Sequence, residues 1–219
     1  MLILACLCLV IWVTDRPLLT RPRHDAKQAR AAFAIRDHVI AFQEWGTRSF
    51  TVPGLESAYG HVEYVTLGPY REGRDQEVIA SLTRFLTAHE CVDLYLLAHS
   101  NHFVEWVDQV PHELRKKIRL VYNTGCFNLG QKERWMALGI TSYVGHVGSS
   151  ESPVFYVYFL RRWTRGGRLD EVVAESNRLT ESVLSSMTKP LFSNPASTIA
   201  QTHAELSGDP TITIDQGAS

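Results

Sequence analysis

Two residues with complementary chemistry stand at the ends of apolar runs in this sequence. His99 follows the run Val92–Ala98, and Cys126 follows the run Ile118–Thr124 and Gly125. In open α/β sheets, ligands bind in the crevice at the carboxyl ends of neighbouring parallel strands. A base on one strand and a thiol on the next would meet in that crevice, so the sequence predicts a site with a cysteine nucleophile.

The pairing of an imidazole with a thiol has a chemical reason. A free thiol is only a few per cent thiolate at neutral pH, and an imidazole that takes or shares its proton makes it a competent nucleophile. Gly125 leaves room for a substrate backbone. The amide of Cys126 and the amides just after His99, beginning with Ser100, could bind a developing oxyanion. Each residue taken singly also has a structural interpretation, as a buried hydrophobe or a loop cap.

Composition excludes several other classes of function. The 219 residues suit one α/β domain, and the formal net charge of −1 offers no basic surface for nucleic acid. The four cysteines form no paired CxxC motif, so neither a disulfide scaffold nor a structural metal is expected. His102 and His146 could join His99 as metal ligands, but no carboxylate or thiolate lies at ligand spacing. No cofactor is expected.

The N-terminus carries an apolar segment, Leu2–Val13, that is too short for a comfortable membrane span of about 20 residues. Its length suits the core of a signal peptide, and Ile3–Cys6 resembles a bacterial lipoprotein box. We therefore expect a membrane-targeting segment over 1–14, a basic linker over 15–36 and a domain over 37–219. Association with a membrane through residues 2–13 would make the protein membrane-associated or exported. A buried strand there would instead make it cytoplasmic.

The rest of the chain alternates between strand and helix patterns, which predicts an α/β fold with a buried parallel sheet. The predicted strands are Val39–Gln43, His61–Thr66, Val92–Ala98, the run ending at Cys126, and Ile140–Gly145. The predicted helices are Asp75–His89, Glu105–Lys117 with a break at Pro111, Lys132–Leu138, Pro153–Arg162 and Leu169–Ser186.

The order of these motifs resembles the caspase-like cysteine peptidases, in particular the gingipain and clostripain branch and the CHAT domains. The resemblance rests on a strand ending at His99, a strand ending at Gly125-Cys126, the segment Leu138–His146 and the helices after it. The tail Gly208–Ile214 is similar to the Gly-Asp-Pro-Thr-Leu segment that closes many such domains. The matching region covers about Val92 to Asp215.

This resemblance implies a caspase-like sandwich, in which a mostly parallel central sheet is flanked by helices. It implies His99 as general base or ion-pair partner and Cys126 as the nucleophile of an endopeptidase that acts on a peptide or protein substrate. The family usually has glycine directly after the histidine, where this chain has Ser100. Related peptidases that cut after Lys or Arg place a carboxylate in the specificity pocket, and Glu151 is the candidate for it.

Two other functions stay open at this stage. A catalytically silent relative would use the same crevice to bind a peptide or a protein partner. A flavodoxin-like binder of small molecules has less support, because no glycine-rich loop follows the first predicted strand.

Overall fold

The structure is a computed structural model that describes residues 24–37, 41–99, 101–149, 152–191 and 195–217. The predicted membrane-targeting segment over 1–14, the oxyanion candidate Ser100 and the specificity candidate Glu151 lie outside these residues. What the sequence indicates for them therefore stays a prediction. Among the described helices, none is both long enough and apolar enough to cross a membrane.

A six-stranded sheet forms the centre of the fold, with the strand order β2-β1-β3-β4-β5-β6. The first five strands are parallel to their neighbours, and β6 runs antiparallel to β5. This is the expected α/β class with a mostly parallel sheet, and it is consistent with a caspase-like sandwich. The strands are β1 (Ala31–Arg36), β2 (His61–Thr66), β3 (Val92–Leu97), β4 (Ile118–Asn123), β5 (Ser142–His146) and β6 (Ala204–Gly208).

The helices follow from apolar spacing and from proline positions. Val78, Ile79, Leu82, Phe85 and Leu86 recur at helical spacing and are all buried. The described helices are α1 (Ala41–Gly46), α2 (Val52–Ala58), α3 (Arg74–Ala88), α4 (Phe103–Asp108), α5 (His112–Arg115), α6 (Lys132–Ala137), α7 (Ser152–Trp163), α8 (Leu169–Leu191) and α9 (Pro195–Thr202). A π-helical segment, Thr47–Thr51, joins α1 to α2, and 3-10 turns cover His24–Ala29 and Asn128–Gln131.

Helices cover both faces of the sheet, because successive strand residues point to opposite sides. In β1, Phe33 and Ile35 enter the core beneath α3, α4 and α6. Ala32 and Ala34 enter the core on the other face, beneath α2, α7 and α8. Every strand residue of β1, β3, β4 and β5 is buried, as expected for a parallel sheet between two helical layers.

The chain changes direction across the sheet between β1 and β3. From β1 it moves outward to β2 through α1 and α2, and α2 packs on one face. From β3 it moves the opposite way to β4 through α4, which packs on the other face. The loops after β1 and β3 therefore diverge, and the crevice between such loops is where open α/β sheets bind ligands.

Two predictions in the first half of the chain are wrong. The expected basic linker over 15–36 contains β1, so the domain begins before residue 37. The basic residues at the ends of this strand are buried and bonded within the protein rather than solvated. Arg30 donates to the Ala58 carbonyl at 3.1 Å, and Arg36 donates to the Leu97 carbonyl at 2.7 Å.

The second error is the strand predicted over Val39–Gln43. Its described part belongs to helix α1, which begins at Ala41. Residues 38–40 lie outside the described residues. A short apolar run does not distinguish a strand from a helix by periodicity alone.

A buried ion pair stabilises the amino end of the sheet, away from the crevice. Asp93 of β3 accepts hydrogen bonds from Arg119 of β4 at 2.9 and 2.7 Å, and from the Trp163 indole at 2.9 Å. Burial alone lowers the pKa of Arg119, but the charge of Asp93 and the hydrogen bonds to it raise that pKa overall. Arg119 also donates to the carbonyls of Thr213 and Ile214, which fixes the C-terminal segment against the sheet.

Candidate active site

His99 lies at the carboxyl end of β3, next to a carboxylate from the end of β1. Asp37 is 6% exposed, and one of its oxygens, Oδ2, accepts the His99 backbone N–H. The same oxygen lies 3.5 Å from His99 Nδ1, within ion-pair distance of a protonated ring. The pairing of β1 with β3 places Arg36 beside Leu97, so the residues that follow them are neighbours. A carboxylate in this position orients the imidazole and leaves Nε2 to exchange protons.

Cys126 lies after β4, and its loop contacts the loop that carries His99. The Asn101 side chain donates to the Cys126 carbonyl at 2.6 Å. A β carbon at Gly125 would lie 2.5 Å from Asn101 Oδ1 and 3.3 Å from the Ala98 carbonyl. A side chain before the cysteine would therefore displace the Asn101 amide group. The space beside Gly125 is filled by the neighbouring loop of the protein, whereas we expected it to admit a substrate backbone.

The conformation of the Cys126 loop depends on Asn128, which is completely buried. Its amide group donates to the carbonyls of Asn123 at 2.8 Å and Gly125 at 2.5 Å. Its Oδ1 accepts the backbone N–H of His146 at 2.6 Å. Asn128 thus joins the ends of β4 and β5 across the loop, and we call this set of contacts the Asn128 hub.

A second segment, residues 147–149, runs alongside the Cys126 loop. The Phe127 amide donates to the Gly148 carbonyl at 2.9 Å, and the Cys126 Sγ lies 3.9 Å from the Ser149 Oγ. Gln201 of α9 holds this segment, since its carbonyl accepts the Gly148 amide at 2.9 Å and its side chain accepts the Ser149 amide at 3.3 Å. A hydroxyl in this position can donate to the sulfur when the thiol loses its proton.

The Cys126 amide, for which the sequence predicts an oxyanion role, is not engaged by the loop around it. Within the described part of the chain, no group accepts a hydrogen bond from it, whereas the amides of Gly125 and Phe127 are both bonded. An amide that is free of protein acceptors can donate to a negative oxygen as it forms. The backbone amide of His99 is engaged by Asp37. The first amide after His99, that of Ser100, lies outside the described residues.

The histidines that could have formed a metal site with His99 are engaged elsewhere. His146 is fully buried, donates from Nδ1 to the Thr202 carbonyl at 2.7 Å, and accepts the Tyr122 hydroxyl at 3.2 Å. Burial lowers the pKa of His146 to about 4. His102 packs against Phe103, with ring centroids 5.1 Å apart. The part of the chain that the structure describes holds no group of three residues able to bind a metal ion.

Three residues of this site were not identified from the sequence. Asp37 reaches His99 only through the pairing of β1 with β3, and the expected domain boundary placed it at the very edge of the domain. Asn101 and Ser149 are polar loop residues without a spacing pattern. One signal was present for Asp37, because it follows the apolar run Ala31–Ile35 after a single arginine, much as His99 follows its own run.

A comparison of the chain with models of known protein families gave no match. A comparison with curated proteins also gave none.

Proposed function

We propose that this protein is a cysteine endopeptidase of the caspase-like type, with Cys126 as nucleophile and His99 as general acid and base. The observation that supports this most directly is the placement of Asp37, His99 and Cys126 at the carboxyl ends of β1, β3 and β4. These three strands are adjacent and parallel. The change in chain direction between β1 and β3 opens the crevice at the same place.

The reaction would proceed in two steps. The Cys126 sulfur attacks the peptide carbonyl carbon after its proton passes to His99, and the Cys126 amide binds the developing oxyanion. His99 then protonates the departing amine as the C–N bond breaks, which leaves a thioester on Cys126. A water molecule gives a proton to His99 and attacks the thioester, which releases the acid and restores the thiol.

Asp37 completes the group as an orienting residue rather than a proton carrier. Its Oδ2 lies 3.5 Å from His99 Nδ1 and would stabilise the imidazolium formed during each step. Its bond to the His99 backbone also fixes the position of the strand end. Asp37→Asn retains an oxygen acceptor for the His99 backbone N–H but loses the negative charge. The substitution therefore separates the effect of the charge on the imidazolium from the effect of the backbone hydrogen bond.

The test is cleavage of a diverse peptide library, with products identified by mass spectrometry. We expect the full chain to cleave a subset of peptides, and Cys126→Ala and His99→Ala to cleave none of them. We expect Asp37→Asn to lower the rate by a factor of about 100 or more, as loss of the orienting charge does in related constellations. Cleavage that persists in Cys126→Ala would contradict the proposal. Failure to cleave any peptide would favour a silent domain that binds peptides in the crevice.

A further inference from the structure

Phe127, which directly follows the proposed nucleophile, has a conformation that a large side chain rarely adopts. Its φ is 54° and its ψ is 23°, in the left-handed region. It is the single residue other than glycine with a positive φ among those that the structure describes. Glycine or asparagine would meet this backbone requirement at lower cost. The aromatic side chain therefore does not serve the local backbone.

The Phe127 side chain does not serve the core either, since it is 64% exposed. The other exposed aromatic residues have partners. Trp45 and Phe50 stack edge to face at 5.6 Å, and the Arg74 guanidinium lies 5.2 Å from the Tyr70 ring. Phe127 has no such ring contact within the described residues. An exposed apolar side chain in a strained conformation at a reactive centre is characteristic of a residue kept for ligand contact.

A second exposed apolar side chain lies in the adjoining segment. Val147 is 43% exposed and precedes Gly148, whose carbonyl accepts the Phe127 amide. The same segment brings Ser149 to the Cys126 sulfur. Phe127 in the Cys126 loop and Val147 in the segment 147–149 are thus exposed apolar side chains on the two segments that lie beside the thiol.

The described charges of the site are engaged within the protein. Arg36 donates to the Leu97 carbonyl and to the Gln43 side chain, and it is 7% exposed. Asp37 is similarly buried and faces His99. These two charges are therefore not free to meet a ligand, and Phe127 and Val147 are the large apolar side chains that the segments beside the thiol expose.

We infer that Phe127 and Val147 form an apolar wall beside Cys126 that selects substrates with a bulky apolar side chain next to the reacting carbonyl. This inference rests on the proposed function for the identity of the reacting carbonyl. The recognition itself requires only that Cys126 is accessible to an electrophile. The two claims can therefore be tested separately.

The test compares two alkylating probes on the full-length protein, iodoacetamide and N-(2-phenylethyl)iodoacetamide. The rate of alkylation at Cys126 is followed by mass spectrometry of the peptide that contains it. The rate with the phenylethyl probe is divided by the rate with iodoacetamide, and this ratio is then divided by the same ratio measured for N-acetylcysteine. Because intrinsic thiol reactivity cancels in this ratio, it reports recognition of the phenylethyl group alone. We expect a corrected ratio of about 10 for the native protein, in the range that small apolar groups contribute to selectivity.

Three variants and one matched control define the outcome. Phe127→Gly and Phe127→Asn suit the left-handed backbone, so they should fold, and we expect each to lower the ratio to about 1. Phe127→Leu keeps an apolar surface and should keep most of the ratio. Phe50→Ala removes an aromatic side chain that is 53% exposed and lies outside the site, and it should leave the ratio unchanged. Near-ultraviolet circular dichroism checks that each variant is folded.

The outcomes separate the inference from the proposed function. A ratio near 1 in the native protein, or a high ratio that persists in Phe127→Gly, overturns the apolar wall whether or not peptides are cleaved. A ratio that depends on Phe127, in a protein that cleaves no peptide, supports the wall and contradicts the peptidase. If peptides are cleaved, the cut sites should carry Leu, Phe or Tyr beside the broken bond. Cleavage beside Lys, Arg or Asp alone would overturn the inference.

Discussion

Replacement of Asn128 by alanine tests whether the Asn128 hub holds the candidate site in place. The substitution removes three hydrogen bonds, with lengths of 2.8, 2.5 and 2.6 Å, from a side chain that is completely buried. It leaves two carbonyls and one amide without a partner, and each such group costs about 1–3 kcal/mol when buried. With partial relaxation of the loop, we expect the free energy of unfolding to fall by about 4 kcal/mol.

The measurement is urea unfolding followed by circular dichroism, in which such a loss lowers the midpoint by roughly 1.5 M. Alkylation of Cys126 under native conditions provides a local readout, since the loop that carries the thiol loses its anchor. Asn128→Asp is the matched control. It keeps the acceptor for the His146 amide but directs a carboxylate oxygen at two carbonyls. At pH 7 it should therefore be as destabilising as Asn128→Ala. As the pH is lowered, its protonated form can donate again, and stability should partly return relative to Asn128→Ala.

A loss below about 1 kcal/mol in Asn128→Ala would refute this reasoning. It would mean that water or loop movement satisfies the three backbone groups without cost. If the free energy of unfolding falls by the full amount but the rate of Cys126 alkylation is unchanged, Asn128 stabilises the ends of β4 and β5 without fixing the geometry of the Cys126 loop.

Three further predictions concern buried groups. His146 should make the fold less stable by about 3 kcal/mol as pH falls from 6.5 to 4, because the unfolded ring takes up a proton in this range and the folded ring, with a pKa of about 4, does not. Urea titrations across this range should show a shallower pH dependence in His146→Gln, and equal slopes would contradict the assignment. Asp93→Ala should lower the free energy of unfolding by about 3–5 kcal/mol by leaving a buried guanidinium unpaired, and calorimetry should find much of this loss restored when the arginine partner is also replaced by methionine. Gly145→Ala should lower the urea midpoint, since its β carbon would lie 2.5 Å from the Asn128 side chain, whereas Gly68→Ala, with nothing within 4 Å, should change it little.

The order of elements from β3 to β5 could be predicted from the sequence because these strands are rich in apolar residues and alternate with helical patterns. β6 was not predicted, since its sequence, Ala204–Gly208, is largely polar. β3 and β4 carry no solvent-facing residue, so their patterns are unambiguous. β1 was missed for the opposite reason, since its apolar core Ala31–Ile35 lies between two arginines that resemble a solvated linker. Only the folded chain supplies the carbonyls that bind those arginines.

The candidate site could be predicted only as far as its strand ends. His99 and Cys126 each terminate an apolar run, and the sequence therefore places both at one edge of the sheet. Asp37 also terminates a strand, but its role depends on β1 lying beside β3, which is a property of strand order. The Asn128 hub depends on a third strand end, at His146, and no local pattern reports such a contact.

The pairing of β1 with β3 also has a consequence for how the site forms. This pairing joins Ala31 to Val92 across all of β2 and the helices between them, so it is a contact between residues that are distant in the chain. Contacts of this kind form late and slowly, because the entropy of closing a long loop is lost before the sheet gains stability. The Asp37–His99 contact cannot exist before this step, so a partly folded chain holds the Cys126 thiol without it. Under the proposed function, the nucleophile would therefore be activated only when the centre of the sheet is complete.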